Sequence, residues 1–126
     1  MVLAKLAMRL RGCKEIIGEC GLKFLEDTGD VEIGWMLMPA YWGRGLATEA
    51  ARATLHHAFT SLQFDEIVAV ADERNHASLR IIDKLGMQFV GYARHYGSLL
   101  RKYSIARSRS FDRLVLRQAH PSAGSG

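Results

Sequence analysis

The chain has little of what marks a specialised class of protein. Of its 126 residues only Cys13 and Cys20 are cysteine, too few for a disulfide-stapled scaffold and without the clustered spacing of a zinc site. Two prolines and the lack of any low-complexity tract argue against a largely disordered chain. No stretch approaches the roughly 18 apolar residues that span a bilayer. Lys5, Arg9 and Arg11 interrupt the apolar start before it reaches signal-sequence length, and no small-residue cleavage site follows. A soluble cytoplasmic protein with no membrane partner is therefore expected. Acidic residues are scarce in one region. Residues 94–126 hold Asp112 alone against seven basic residues, a balance of +6, whereas residues 1–93 hold ten basic and twelve acidic residues, a balance of −2. The overall charge of +4 thus belongs to the C-terminal quarter. Such a tail is more often a solvated or loosely attracting segment than a nucleic-acid reader. No aromatic-rich basic strand of the RNA-binding kind accompanies it, so nucleic acid is not an expected partner.

What is present is ordinary globular material. An apolar fraction of 48% with 24% charged residues suffices for a core, and the length fits one domain. Residues 1–107 are expected to form it, with 108–126 a basic, frayed tail. Residues 3–10 fit either a helical stripe (Leu3, Leu6, Leu10) or a strand (Leu6, Met8, Leu10). Residues 16–25 read as a strand broken by Gly18 and Gly21, which suggest a bulge. After a polar hairpin connection at 26–30, residues 31–38 alternate, with Val31, Ile33, Trp35 and Leu37 opposed to Glu32, Gly34, Met36 and Met38. Pro39 stops that strand. A helix is predicted over 46–62, with Ala51, Leu55, Ala58, Phe59 and Leu62 on one face. A short buried strand follows at 66–71, then a helix over 76–85 ended by Gly86. Two further strands at 87–93 and 99–106 flank Gly97-Ser98. The order predicts a mixed α/β fold: a mainly antiparallel central sheet with one parallel strand–helix–strand crossover.

The run Gly43-Arg44-Gly45-Leu46-Ala47-Thr48 stands between a strand and a strong helix. Successive N–H groups at a helix N-terminus form an anion site, and glycines let a phosphate approach the main chain. The same run also fits a tight turn that needs glycine for backbone geometry alone. It is neither a dinucleotide fingerprint, because Thr48 holds the third glycine position, nor a P-loop, because the Gly-Lys-Ser/Thr ending is missing.

The longer run from Gly34 to Ala50, GWMLMPAYWGRGLATEA, resembles the cofactor motif of GNAT acyl-CoA N-acyltransferases, in particular the RimJ/RimL-like branch. A second block, Asn75-His76-Ala77-Ser78-Leu79-Arg80 through Asp83-Lys84-Leu85-Gly86-Met87, resembles that branch's other signature, in the same order and at a compatible separation. The resemblance covers about residues 16–106. It implies acetyl-CoA as co-substrate, no metal, and transfer of an acetyl group to a primary amine on a small molecule or a protein N-terminus. It places the pyrophosphate on the amides of Gly43, Arg44, Gly45, Leu46, Ala47 and Thr48, with added charge from Arg44. It places the pantetheine arm against the main chain of Trp35 and Leu37 and the side chain of Asn75. Trp42 stands where the wider family often has Gln or Arg, a difference that the branch tolerates.

The amine must lose a proton and the departing thiolate must be stabilised. Glu32 is the candidate base, near where some relatives place a carboxylate, although a solvent-facing strand residue would look the same. Several relatives use a tyrosine seven residues after the asparagine as acid. Ile82 stands there, so Ser78 is the candidate that could bond the sulfur, or else an ordinary serine bonded to its own helix. His95, Tyr92 and Tyr96 either line an acceptor pocket or are plain strand residues. His56 and His57 are about a hundred degrees apart on a helix and cannot share a metal unaided. Family members usually carry a strand and two helices before the strand near residues 3–10, so an N-terminally short version is expected. A homodimer would supply the missing wall. The alternative is a truncated, non-catalytic protein that binds acyl-CoA or a partner.

Overall fold

Among the described residues, alternation of apolar residues resolves into six strands, and two amphipathic segments into helices. The computed structural model describes residues 2–107, and the basic tail from 108 onwards lies outside the described residues. In chain order the elements are β1 (Val2–Met8), β2 (Gly18–Phe24), β3 (Val31–Leu37), a 3-10 turn (Pro39–Tyr41), α1 (Leu46–Thr60), β4 (Glu66–Ala71), α2 (His76–Lys84), β5 (Gln88–His95) and β6 (Ser98–Ala106). The strands form one sheet in the order β1-β2-β3-β4-β6-β5, and among the described residues only β3 and β4 pair in parallel. The mixed, mainly antiparallel sheet with one parallel crossover is as expected.

Both helices pack on one face of that sheet. Leu22, Ile33, Ile67 and Ile105 of the strands meet Leu55 and Phe59 of α1 and Ile82 of α2 in a single core. Ala47, Ala50, Ala51 and Ala58 let α1 lie close against β2 and β3. Each fully buried large aliphatic side chain stabilises the fold by about 1.5–3 kcal/mol.

The differences from expectation have local causes. Residues 3–10 resolve as strand because the first strand pairs with β2 from Val2 to Met8. The first helix ends at Thr60, not 62: the N–H groups of Ser61 and Leu62 share the His57 carbonyl, and Gln63 turns left-handed at φ 56. Gly18 and Gly21 pair in register with β3, so neither marks a bulge there. Both are close-approach positions, since a Cβ would stand 2.4 Å from the Met36 carbonyl oxygen and 2.7 Å from that of Ala4. Gly86 does end α2, at φ 78, with its N–H on the Asp83 carbonyl and that of Met87 on the Ile82 carbonyl. Ile82 and Met87 both sit in the core, completing a Schellman stop.

Candidate active site

The one parallel strand pair is also the weakest seam of the sheet. β3 and β4 share only the Glu32–Val68 register, after which the strands part. In an antiparallel ladder the main-chain groups of successive residues point alternately to the two sides. The Leu25 N–H bonds the Asp30 carbonyl (2.9 Å) and the Met38 N–H bonds the Ile17 carbonyl (2.8 Å), which fixes the phase of β2 against β3. Even-numbered residues of β3 therefore bond β2. Trp35 and Leu37 turn their N–H and C=O groups to the β4 side, where the strands have already separated.

The chain then turns through Gly43 (φ 78) and Gly45 (φ 75) into α1. Gly45 is the N-cap and contributes no side-chain cap. Among the described residues, no main-chain N–H from 43 to 48 donates to another protein group; the next, that of Glu49, closes on the Gly45 carbonyl at 3.0 Å. Left-handed glycines allow this run of unpaired amides, and the helix dipole reinforces it as a place for an anion. Arg44 is exposed beside it, its guanidinium 5.8 Å from the Tyr41 ring centre. Leu46, Ala47 and Thr48 form the first turn of α1, with Ala47 and Thr48 buried.

The start of α2 is fastened to β3. Asn75 caps the helix by accepting the Ser78 N–H on Oδ1 at 3.2 Å. The Trp35 indole N–H donates to Ser78 Oγ at 3.2 Å. Trp35, Asn75 and Ser78 are thus brought together. Because Ser78 Oγ accepts from Trp35, its own O–H is left to donate elsewhere. Ahead of the helix, Arg74 grips the Asp72 carboxylate through two nitrogens (3.0 and 3.1 Å) and holds it down to about 2, which stiffens the turn that presents Asn75. Trp42 has a role that the sequence did not reveal: its indole N–H donates to the Leu37 carbonyl at 2.7 Å, so one of the groups facing the seam is already engaged.

Glu32 lies on the opposite face of the sheet from Ser78, so the two candidates flank the seam rather than meet. It is 6% exposed, and its carboxylate accepts the Tyr96 hydroxyl. Tyr96 occupies a two-residue turn with Gly97, both left-handed (φ 53 and 75), a conformation strained for tyrosine. Its N–H donates to Glu26 Oε1 at 3.0 Å, and His95 Nδ1 lies 2.8 Å from the same oxygen. Lys102 donates to Asp30 at 2.7 Å, and Lys23 Nζ stands 4.8 Å over the Tyr96 ring. The tip of the β5–β6 hairpin therefore clasps the β2–β3 hairpin across β4. The Tyr96 N–H and the His95 ring hold the Glu26 carboxyl below the usual carboxylate range. Burial, then the bond to Glu32, pushes the Tyr96 phenol up, so it stays protonated and donating. The clasp's hydrogen bonds join residues 64 to 72 positions apart, and nothing in the local sequence pattern signals it. Burial raises the Cys20 thiol, which suits a structural residue. Among the described residues no three metal-ligating side chains converge, and no helix is long and apolar enough to cross a membrane.

A mixed sheet that splays at its parallel seam, followed by an amide-lined turn into a helix, defines the acyltransferase fold expected from the motifs. A family model described as "Acetyltransferase (GNAT) domain" matches residues 3–88, and the chain belongs to the GNAT acetyltransferase family. It is 38% identical over 92 residues to the "Uncharacterized protein YkkB" of Bacillus subtilis, covering 71% of this chain and 49% of that one. It is 34% identical over 99 residues to the "Uncharacterized N-acetyltransferase p20" of Bacillus licheniformis, covering 78% and 52%. The chain thus spans about half the length of these curated relatives. Among solved structures, a GNAT-family acetyltransferase from Bacillus anthracis superposes with a TM-score of 0.70 at 28% identity, over 82% of this chain and 66% of that one.

Proposed function

We propose that the protein is an acetyl-CoA-dependent N-acetyltransferase of the RimJ/RimL-like branch, moving an acetyl group to a primary amine on a small molecule or a protein N-terminus. The observation that carries this reading is the meeting of two main-chain surfaces, the seam edge at Trp35 and the Leu37 N–H, where β3 and β4 have parted, and the unpaired amides of residues 43–48. The second surface suits a pyrophosphate, with Arg44 adding charge, and the first suits the amide-bearing pantetheine arm. Asn75 spends Oδ1 on its cap and keeps its NH₂ for the arm. Acetyl-CoA supplies the activated acyl group. Trp35 and Leu37 orient it in the seam, the latter through its N–H, because Trp42 holds the carbonyl.

The two faces suit a division of the proton work. The amine nitrogen bonds to the acetyl carbon, the carbon–sulfur bond breaks, and its electron pair leaves on sulfur. Glu32, on the open face, takes the proton that the amine gives up. Ser78, on the helix face, offers its free O–H to the departing thiolate. Base and donor act from opposite sides of the seam and do not compete for one proton.

Calorimetric titration with acetyl-CoA, followed by thiol release over a panel of amines, tests this reading. Binding and release are expected, and failure to bind acetyl-CoA at millimolar concentration overturns it. Gly45→Glu puts a carboxylate where the pyrophosphate would rest and forces a side chain onto φ 75, so binding should fall at least about tenfold. A second reading, acyl-CoA binding without turnover, draws on Glu32 and Leu37 being already engaged by Tyr96 and Trp42. Tight binding with no thiol release from any amine would favour it.

A further inference from the structure

A groove of about 250 Å³ crosses the open face of β1, β2 and β3, away from the helices. Its floor holds a cross-strand pair of glycines, Gly21 and Gly34. They are glycines for different reasons. Gly21 has Ala4 against it. A Cβ on Gly34 would meet nothing within 4 Å, and Gly34 has no positive φ. Neither backbone geometry nor packing asks for glycine at 34. The missing side chain leaves open space, two residues along the same face from Glu32 and next to Trp35, whose main chain faces the seam.

The charges around that space are unequal. The groove's ionisable lining is Lys5, Glu19 and Lys23, and Glu19 is taken by Lys5 at 3.2 Å. Beyond the lining, Glu32 holds Tyr96, Glu26 holds His95 and the Tyr96 N–H, and Asp30 holds Lys102. Lys23 stands directly across the ladder from Glu32. Its ammonium touches the Tyr96 ring, and among the described residues no carboxylate lies within 4.0 Å of it. A polyamine needs several free carboxylates, whereas each acidic side chain named is engaged and Lys23 meets only the face of the Tyr96 ring and the field of Glu26.

We infer that this groove is the acceptor site and that it takes a small primary amine bearing a carboxylate, the carboxylate on Lys23 and the amine over Gly34, diagonally across the ladder from Lys23 and two residues from Glu32. The inference rests on the N-acetyltransferase reading and adds the acceptor's class. Lys23 is exposed, so its discrimination is modest, about fivefold.

The test compares 4-aminobutyrate with propylamine, which lacks only the carboxylate, and with spermidine. Each is assayed by thiol release and by calorimetric binding to the full chain saturated with CoA, with acetyl-CoA binding titrated in parallel. The wild type should prefer 4-aminobutyrate to propylamine about fivefold and rank spermidine last. Lys23→Gln should erase that preference, and Lys23→Glu should raise spermidine above 4-aminobutyrate. Spermidine ranking first in the wild type, or an order indifferent to Lys23→Glu, overturns the inference while leaving the acetyltransferase reading intact. The expected order in binding without thiol release supports the groove and sinks the enzyme. Loss of acetyl-CoA binding sinks both.

Discussion

Tyr96→Phe removes a single oxygen, and the structure sets what that should cost. The Glu32 carboxylate is 6% exposed and accepts the Tyr96 hydroxyl. Without that donor a desolvated charge is left short of a partner, and a hydrogen bond to a charged group contributes about 1.5–3 kcal/mol. The backbone strain at φ 53 is common to tyrosine and phenylalanine and cancels. The ring stays beneath Lys23. A net destabilisation of about 2 kcal/mol should remain, a fall in Tm of about 8–16 °C for a domain of this size. Thermal unfolding followed by circular dichroism near neutral pH reads it. A double-mutant cycle with Glu32→Leu, which removes the acceptor, isolates the pair, with an expected coupling of at least about 1.5 kcal/mol. A Tm drop below about 3 °C, or a coupling under about 0.5 kcal/mol, would refute the role assigned to the clasp.

Gly21→Ala should destabilise by about 2 kcal/mol because its Cβ would stand 2.7 Å from the Ala4 carbonyl oxygen, whereas Gly34→Ala should be neutral or slightly stabilising in urea melts. Equal effects would remove the distinction between the two glycines. Trp42→Phe frees the Leu37 carbonyl and is expected to tighten acetyl-CoA binding about two- to fivefold by calorimetry; weaker binding would mean the indole itself meets the ligand. Glu26 has a lowered folded pKa, so the native state binds fewer protons than the unfolded chain as acid is added. Its stabilisation is full above the unfolded carboxylate range and is lost as pH falls through the lower folded value. Urea midpoints should therefore drop between about pH 6 and pH 3, and less steeply in Glu26→Gln; parallel curves for the two proteins would contradict this.

Much of the seam was legible in the sequence because it is built from local pattern. Alternation placed Trp35 and Leu37 on one side of β3, Pro39 ended the strand, and the glycines at 43 and 45 marked the turn into α1. Gly86 ended the second helix by a capping rule that depends on neighbours alone. The open face was not legible in this way. Tyr96 reads as an ordinary residue beside a strand until the fold carries it to Glu32. Gly18 and Gly21 looked like bulge markers, because only the position of the adjacent strand shows that a side chain is forbidden there. Trp42 stood out as a departure from the wider family pattern, but which carbonyl its indole would reach depends on how the 3-10 turn aims it.

The order of the strands has a consequence for synthesis. β4, the apolar strand at the centre of the sheet, touches β3 in register only at Val68 but pairs with β6 from Glu66 to Ala71. Its principal neighbour is thus the last of the described strands, not the one that leaves the ribosome next. Until residues 101–106 emerge, one edge of β4 has no partner, and its Ile67, Val68 and Ala69 are a ready template for another chain. Nascent chains released before that point should be prone to aggregate.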